Sequence, residues 1–161
     1  MSDPIHHNKC VGVAKNFFTT ALIANIDKPE FKASLPQYPY MFSKPLSCIQ
    51  DPSKRHEFKI GPNNGPEDIN FEVELGVMIG KPIEAYAEIT KENLNDYIGG
   101  YFLLLDYTDK KFLVHDLTNS GPFFMGKCQD DLLVLSDFIE KERIPDCHNV
   151  WLELEIGGQV R

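Results

Sequence analysis

The stretch N-F-E-V-E-L-G-V-M-I-G, residues 70–80, decides the fold because it is the clearest strand in the sequence. Side chains of a strand point alternately to its two faces, so the odd-numbered residues from Phe71 to Ile79 form one apolar face. We expect that face to be core. The opposite face begins with Glu72 and Glu74, and its remaining residues are too small or flexible to cover two carboxylates. The sequence therefore raises the question of what lies against them.

Length and charge limit the classes of protein to which the chain can belong. Its 161 residues, 42% of them hydrophobic, are enough for one domain with its own core. The 24 acidic and 16 basic residues give a net charge of −8, which predicts that nucleic acid is repelled. No apolar stretch approaches the roughly 20 residues of a membrane span, and no leader pattern is seen. We expect a cytoplasmic protein whose partners are small molecules or proteins.

The four cysteines favour free thiols over a structural bridge or a zinc site. Cys10, Cys48, Cys128 and Cys147 are far apart and form no C-x-x-C pair. Free thiols are typical of a reducing compartment.

The segments that follow the first strand suggest a helix, a strand and a second helix. Thr90 is expected to cap a helix that stops at Gly99-Gly100. The short apolar run 101–106 predicts a strand buried on both faces, and residues 108–119 have the apolar spacing of a short helix. Near the end of the chain, Gly157-Gly158 indicates a hairpin turn.

Glu72 and Glu74 become candidates for a metal site when Asp106 is considered with them. Asp106 ends an apolar strand, where a carboxylate is costly unless it is paired or binds a metal. Oxygen ligands favour Mg²⁺ or Mn²⁺. Glu153 and Glu155 have the same spacing as the first pair, but they alternate with leucine and isoleucine, so we expect them on a solvated face with no part in the site.

The same residues carry a resemblance to a known family. The chain resembles the fumarylacetoacetate hydrolase family, nearest its small acylpyruvase and oxaloacetate decarboxylase or tautomerase members. The matching segments are Y-M-F-S-K-P (40–45), F-E-V-E-L-G-V-M-I-G-K (71–81), D-Y-I-G-G-Y-F-L-L-L-D-Y-T (96–108), G-K (126–127) and W-L-E-L (151–154). The resemblance implies an α+β, mainly β fold, a mixed β-sandwich roll, with residues 1–161 forming a single catalytic domain.

The resemblance also implies a role for individual residues. Glu72, Glu74 and Asp106 would hold Mg²⁺ or Mn²⁺, Lys127 would be catalytic, and Lys44 and Lys110 would bind substrate. The implied chemistry acts on small 2-keto or diketo acids: acylpyruvate C–C bond hydrolysis, or oxaloacetate decarboxylation or tautomerisation, each through a metal-stabilised enolate. A mitochondrial location is the alternative that the family suggests.

The chain departs from the family pattern at the residues that would activate water. Thr20 stands at the family histidine and Ile23 at the family glutamate, and neither can act as a general base near neutral pH. His115, beside Asp116, is a substitute candidate, although an ordinary exposed histidine explains it as well. Lys110 replaces an arginine, so bidentate carboxylate recognition is lost.

The end of the chain is the second departure. Family members continue through further strands after the G-G-Q-V-R hairpin, so we expect a C-terminally truncated domain that lacks those strands. An uncovered core would then invite association, for which a homodimer is one form. A catalytically weakened or inactive relative that retains the metal site is the alternative function, and a plain β-rich interaction domain would leave Asp106 unexplained.

Overall fold

An antiparallel sheet forms the centre of the described chain. The computed structural model describes residues 9–14, 38–50, 64–119 and 121–160, so the predictions made at Thr20 and Ile23 lie outside the described residues. The described strands are β1 (Cys10–Ala14), β2 (Tyr40–Lys44), β3 (Ile69–Ile79), β4 (Ile98–Asp109), β5 (Leu133–Leu135), β6 (Ile139–Glu140), β7 (Glu155–Ile156) and β8 (Gln159–Val160). The described α-helices are α1 (Lys110–Thr118) and α2 (Phe124–Lys127), and 3₁₀ turns cover Leu46–Cys48, Pro66–Asp68, Leu94–Asp96 and Lys141–Arg143.

The long hairpin of β3 and β4 sets the positions of the remaining sheet strands. Glu72 lies directly across from Asp106 in its antiparallel register, and cross-strand neighbours point to the same face of a sheet. On the other edge of β4, the short strands β5 and β6 pair with it in succession. The expected mainly β fold is confirmed, and the strand predicted over 70–80 forms.

The core lies in two small clusters on opposite faces of this sheet. One cluster contains Cys48, Cys128 and Leu133, with Leu104 packed against it. The second consists of Ile69, Tyr107 and Leu132, against which Leu105 and Val134 pack. Because Leu104 and Leu105 are consecutive in β4, the two clusters lie on its two sides. The sheet is therefore covered mainly around the β5 end of β4.

The apolar face predicted as core along the whole of β3 is only partly covered. Phe71, Val77 and Ile79 are 39%, 50% and 53% exposed. Leu103 of β4, expected to be buried, is 42% exposed. Alternation shows which side chains share a face, but burial also needs a layer packed against that face, and the described residues supply one only near Ile69 and Tyr107.

The helix predicted to begin at Thr90 and stop at Gly99-Gly100 is wrong. The segment forms turns and a single 3₁₀ turn at Leu94–Asp96, while both glycines lie inside β4. The Thr90 hydroxyl accepts a hydrogen bond from the Glu92 amide at 3.3 Å within these turns. Gly99 instead allows the backbones of two strands to lie close together, because a Cβ at this position would be only 2.8 Å from the Cα of Gly80.

The other local predictions agree with the structure. Helix α1 falls within the predicted 108–119, and the Asp109 side chain caps it by accepting from the Phe112 amide at 3.2 Å. Gly157 and Gly158 have φ values of 60° and 79°, as the tight turn between β7 and β8 requires.

All four cysteines are free, as predicted. Burial raises the pKa of the Cys48 thiol to about 11, so that thiol is protonated at neutral pH. Within the described residues, no helix is long and apolar enough to cross a membrane.

Two glycines of the hairpin allow a matched test of this packing. We expect Gly99→Ala to lower the free energy of unfolding by about 1–3 kcal/mol, because the new methyl meets the backbone of Gly80, which cannot move aside. At Gly76 the obstructing atom is the end of the Leu104 side chain, which can rotate, so Gly76→Ala should cost less. Urea unfolding of both variants measures the difference, and equal losses would contradict the backbone contact.

Candidate active site

Three carboxylates meet on one face of the hairpin. Glu72 and Glu74 are two residues apart in β3, so both point to the same side, and Asp106 is the cross-strand neighbour of Glu72. One oxygen from each carboxylate lies within 4.8 Å of the others. Asp106 is buried, and the two glutamates are partly buried. The structure thus brings together the three residues that the sequence predicted as metal ligands, while their ligand role stays a prediction.

Lys127 joins two of these carboxylates. Its Nζ donates to Glu72 Oε2 at 2.7 Å and to Asp106 Oδ2 at 3.0 Å. Burial alone would lower the pKa of this ammonium, but the charges of Asp106 and Glu72 outweigh burial and the pKa of Lys127 is raised. Lys127 is therefore a buried, charged group at the centre of the site.

Lys44 stabilises the opposite side of Asp106. From the end of β2, its Nζ donates to Asp106 Oδ1 at 2.7 Å and to the Lys127 carbonyl oxygen at 2.6 Å. Its side chain is 2% exposed. The lysine that the resemblance assigned to substrate therefore spends two of its three N–H donors on the protein itself, and its predicted contact with substrate stays a prediction.

Thr108 is a site residue that the sequence reasoning missed. Its hydroxyl donates to Glu72 Oε1 at 2.7 Å, and Thr108 is fully buried. The sequence spacing indicates this position, because Thr108 stands two residues after Asp106 in the same strand and so must share its face. Between them, Thr108 and Lys127 engage both oxygens of Glu72 and fix the plane of that carboxylate.

Glu74 differs from its two neighbours in having no lysine. Among the described residues, lysine hydrogen bonds reach Asp106 and Glu72 but not Glu74. Burial, and after it the charge of Asp106, raises the pKa of Glu74 to about 7. The charges of Lys127 and Lys44 act in the opposite direction but do not outweigh these two effects.

A hard divalent cation fits this arrangement of donors. The cluster offers three carboxylate oxygens at short mutual distance and no nitrogen or sulfur ligand, which matches the preferences of Mg²⁺ and Mn²⁺. A cation here would neutralise Glu74, the group that burial leaves without a partner charge. The residues that would hold it are Glu72, Glu74 and Asp106.

The remaining predicted residues lie around this centre rather than in it. Lys110 is the first residue of α1, half-buried, and its charge helps to lower the pKa of Asp68 after the larger effects of Lys111 and the Gly65 amide. His115 has a side chain that is 60% exposed, with Nδ1 3.8 Å from Asp116 Oδ1. Neither residue has a hydrogen bond to the three carboxylates, and their proposed roles stay predictions.

The second acidic pair behaves as a solvated pair should. Glu153 and Glu155 are both exposed, and Glu155 belongs to the small hairpin at the end of the chain. They share the E-x-E spacing of Glu72 and Glu74, but Glu155 belongs to a different sheet and Glu153 precedes that strand. The expectation that they lie on a solvated face is confirmed.

Comparison with known proteins identifies the family. The chain matches the family model described as fumarylacetoacetate (FAA) hydrolase C-terminal over residues 9–161. The match includes every strand, carboxylate and lysine described above. The chain belongs to the fumarylacetoacetate hydrolase family, as its resemblance implied.

Two curated relatives illustrate the similarity in sequence. The chain is 30% identical over 154 residues to a mitochondrial oxaloacetate tautomerase of Schizosaccharomyces pombe, and 31% identical over 156 residues to a mitochondrial oxaloacetate decarboxylase of Dictyostelium discoideum. These alignments cover 94% and 95% of this chain and 64% of each relative. The chain therefore spans less than two thirds of the length of the curated relatives it matches.

A solved structure gives the same result for the fold. A fumarylacetoacetate hydrolase family protein from Yersinia pestis CO92 superposes with a TM-score of 0.67 at 25% sequence identity, over 82% of this chain and 58% of that protein. The expected fold of this family is confirmed.

The raised pKa of Glu74 predicts how the stability of the metal-free protein depends on pH. The folded pKa of about 7 lies above the ordinary value of 4.5, so the group favours folding below pH 4.5 and this contribution is lost as the pH rises through 7. We expect Glu74→Gln to remove this loss and to be more stable than the parent at pH 8 by about 3 kcal/mol, with the difference shrinking toward pH 4.5. Urea unfolding in chelator at several pH values measures it. A pH-independent difference would contradict the assignment.

Proposed function

We propose that the chain processes a small 2-keto acid at a divalent cation held by Glu72, Glu74 and Asp106. The observation that carries the proposal is the ammonium of Lys127, buried and shared by Glu72 and Asp106. Such a charge beside a cation site is suited to stabilise an oxygen that becomes negative during reaction. When bound, Mg²⁺ or Mn²⁺ supplies Lewis-acid polarisation of the keto acid.

Lys127 is the residue that would face the reacting oxygen. An ammonium has three N–H donors, and two of them are engaged by Glu72 and Asp106. The third remains for the oxygen on carbon 2 of the substrate, where charge develops when the enolate forms. Because Asp106 and Glu72 raise the pKa of Lys127, this group acts as a hydrogen-bond donor and not as a base at neutral pH.

The charge of the site also suits an anionic substrate once a cation is bound. Three carboxylates and two ammonium groups, Lys44 and Lys127, leave one net negative charge when all are ionised. A divalent cation reverses the sign to one net positive charge. A 2-keto carboxylate is therefore attracted to the loaded site and repelled by the empty one.

Among reactions of 2-keto acids, we propose tautomerisation or decarboxylation of oxaloacetate rather than C–C bond hydrolysis. Decarboxylation leaves an enolate as CO₂ departs, and tautomerisation leaves one as the acidified carbon-3 proton passes to solvent. In both cases the enolate must be stabilised, which Lys127 and the cation can supply. Hydrolysis also requires a base that activates water, which contributes about 10²–10⁴-fold. Thr20 and Ile23 stand where the resemblance places that base, and neither has a group that accepts a proton near neutral pH. The names of the two relatives above agree with this preference.

The location follows the same reasoning from relatives. Both curated relatives are named as mitochondrial, so we propose a mitochondrial protein in place of the cytoplasmic one expected from the sequence. Fractionation of the source cells tests this, and recovery of the protein in the cytosolic fraction alone would contradict it.

Metal binding is tested most sharply at Glu74, because neither lysine bonds to it. We expect millimolar Mn²⁺ to raise the thermal midpoint of the parent chain by mass action and to leave that of Glu74→Gln unchanged. The matched control is the double variant Glu153→Lys, Glu155→Lys, which changes an E-x-E pair of the same spacing and should keep the full shift. If Mn²⁺ does not raise the thermal midpoint of the parent, or if the control variant no longer shows that rise, the result would contradict the cation site.

Activity is tested as a ratio of two reactions on the same chain. We expect oxaloacetate tautomerisation or decarboxylation with Mn²⁺ to exceed the rate of free metal, and acetylpyruvate hydrolysis to be weak. A Thr20→His, Ile23→Glu variant should then gain hydrolysis, up to the factor of about 10²–10⁴ that a positioned base contributes. Lys127→Ala should lower all of these rates and still bind metal.

The outcomes separate the competing functions. If the parent hydrolyses acetylpyruvate as fast as it processes oxaloacetate, another residue is the base that activates water. His115→Ala is then the next variant to measure. Metal binding without any turnover of either substrate would favour the alternative, a relative that retains the metal site without catalysis.

A further inference from the structure

Asp116 is a buried carboxylate that the chemistry above does not use. It lies near the end of α1 with a side chain that is 5% exposed. Its Oδ2 accepts a hydrogen bond from the backbone N–H of Met125 at 3.0 Å. Its own carbonyl oxygen accepts from the Gly121 amide at 2.6 Å. Asp116 therefore connects α1 both to Gly121, which precedes α2, and to Met125 within α2.

Helix α2 has little support of its own. It is four residues long, and its last residue is Lys127, whose amide bonds to the Phe123 carbonyl at 3.1 Å. Phe123 has φ of 61°, a left-handed conformation that is strained for an aromatic residue. An isolated single turn is unstable in water, so external contacts must hold it.

Helix α1 provides part of those contacts, in addition to the Lys44 ammonium that holds the Lys127 carbonyl oxygen. A Cβ on Gly126 would lie 2.8 Å from backbone atoms of Leu113, so α2 lies directly against the backbone of α1. The Asp116 carboxylate holds α2 at one position along α1, because it binds the Met125 amide two residues before Lys127. A hydrogen bond to a charged acceptor is stronger than one between neutral groups.

We propose that Asp116 is a positioning residue for Lys127. By anchoring the Met125 amide, it holds α2 where the Lys127 ammonium reaches Glu72 and Asp106 together, although Asp116 itself touches neither carboxylate nor substrate. The effect on turnover rests on the function proposed above. The effect on Lys127 itself does not, and it can be measured without any activity.

The first experiment measures the reactivity of the Lys127 amine. The parent chain, Asp116→Ala and Asp116→Asn are treated with acetic anhydride, and acetylation at Lys127 is followed by mass spectrometry relative to the exposed Lys91. We expect Asp116→Ala to react about tenfold faster than the parent, because a charge-assisted hydrogen bond contributes enough to shift an equilibrium by about that factor. Asp116→Asn keeps an oxygen acceptor without the charge and should fall between the two.

The control is Thr118→Ala on the same helix. Among the described residues, the Thr118 hydroxyl donates to carbonyl oxygens of its own helix, those of Val114 and His115, and accepts from Asn119. Its loss weakens α1 without touching α2. Lys127 should then react as in the parent, which separates positioning from a general loss of helix stability.

The second measurement is steady-state turnover of oxaloacetate with Mn²⁺. We expect kcat to fall in the order parent, Asp116→Asn, Asp116→Ala, with KM nearly unchanged, since the carboxylates that would hold the cation are not moved. A parent chain without turnover would end the proposed function and leave the labelling result to decide the role of Asp116.

Equal labelling of Lys127 in the parent and Asp116→Ala would overturn the proposal, and so would the same increase in Thr118→Ala. If Asp116→Ala does not fold, Asp116→Asn decides: an unchanged Lys127 rate overturns the proposal and an increase supports it.

Discussion

The site depends on a single ammonium group that lies between two carboxylates. Lys127 bridges Glu72 and Asp106 at 2.7 and 3.0 Å inside the protein, and Lys44 balances the remaining oxygen of Asp106. Charges taken out of water are tolerated only when each is paired with good geometry. Because the two lysines come from β2 and α2 while the carboxylates come from β3 and β4, this pairing also connects these four elements. The ion pairs of Lys44 and Lys127 therefore hold β2 and α2 against the β3–β4 hairpin, and they also form the proposed site.

The register of the β3–β4 hairpin controls whether this pairing can form. A slip by one residue would move every side chain to the other face, and Glu72 would lose Asp106, Thr108 and Lys127 together. Close backbone contact at Gly80 and Gly99 and the pairing of Glu72 with Asp106 lie at opposite ends of the same strand pair. Both ends must agree for the strands to align, so the features that define the site also help to define the fold.

The described residues support two requirements of the proposed chemistry, charge stabilisation and water activation, to different extents. Charge stabilisation has a complete physical basis in the described residues, since the carboxylates converge and Lys127 is held charged beside them. Positioning of Lys127 draws on α1 as well, through Asp116 and the close contact at Gly126. In the proposed function, Thr20 and Ile23 stand where the resemblance places the base that activates water, and neither side chain accepts a proton near neutral pH. For this reason we propose reactions whose main barrier is the formation of an enolate.

The sequence by itself determined the strand at 70–80, the shared face of Glu72 and Glu74, the helix near 110–118, the glycine turn at 157–158 and the solvated pair Glu153 and Glu155. These features depend on local periodicity and turn chemistry, which neighbouring residues fix. Tertiary structure alone decided that Gly99 and Gly100 lie inside a strand, because the reason is the backbone of Gly80 on the partner strand. It also decided that Phe71, Val77 and Ile79 are exposed, since a periodic pattern cannot say which layer covers a face. The two hydrogen bonds of Lys44 became visible only when segments up to 83 residues apart met, because buried charges find their partners across space and not along the chain.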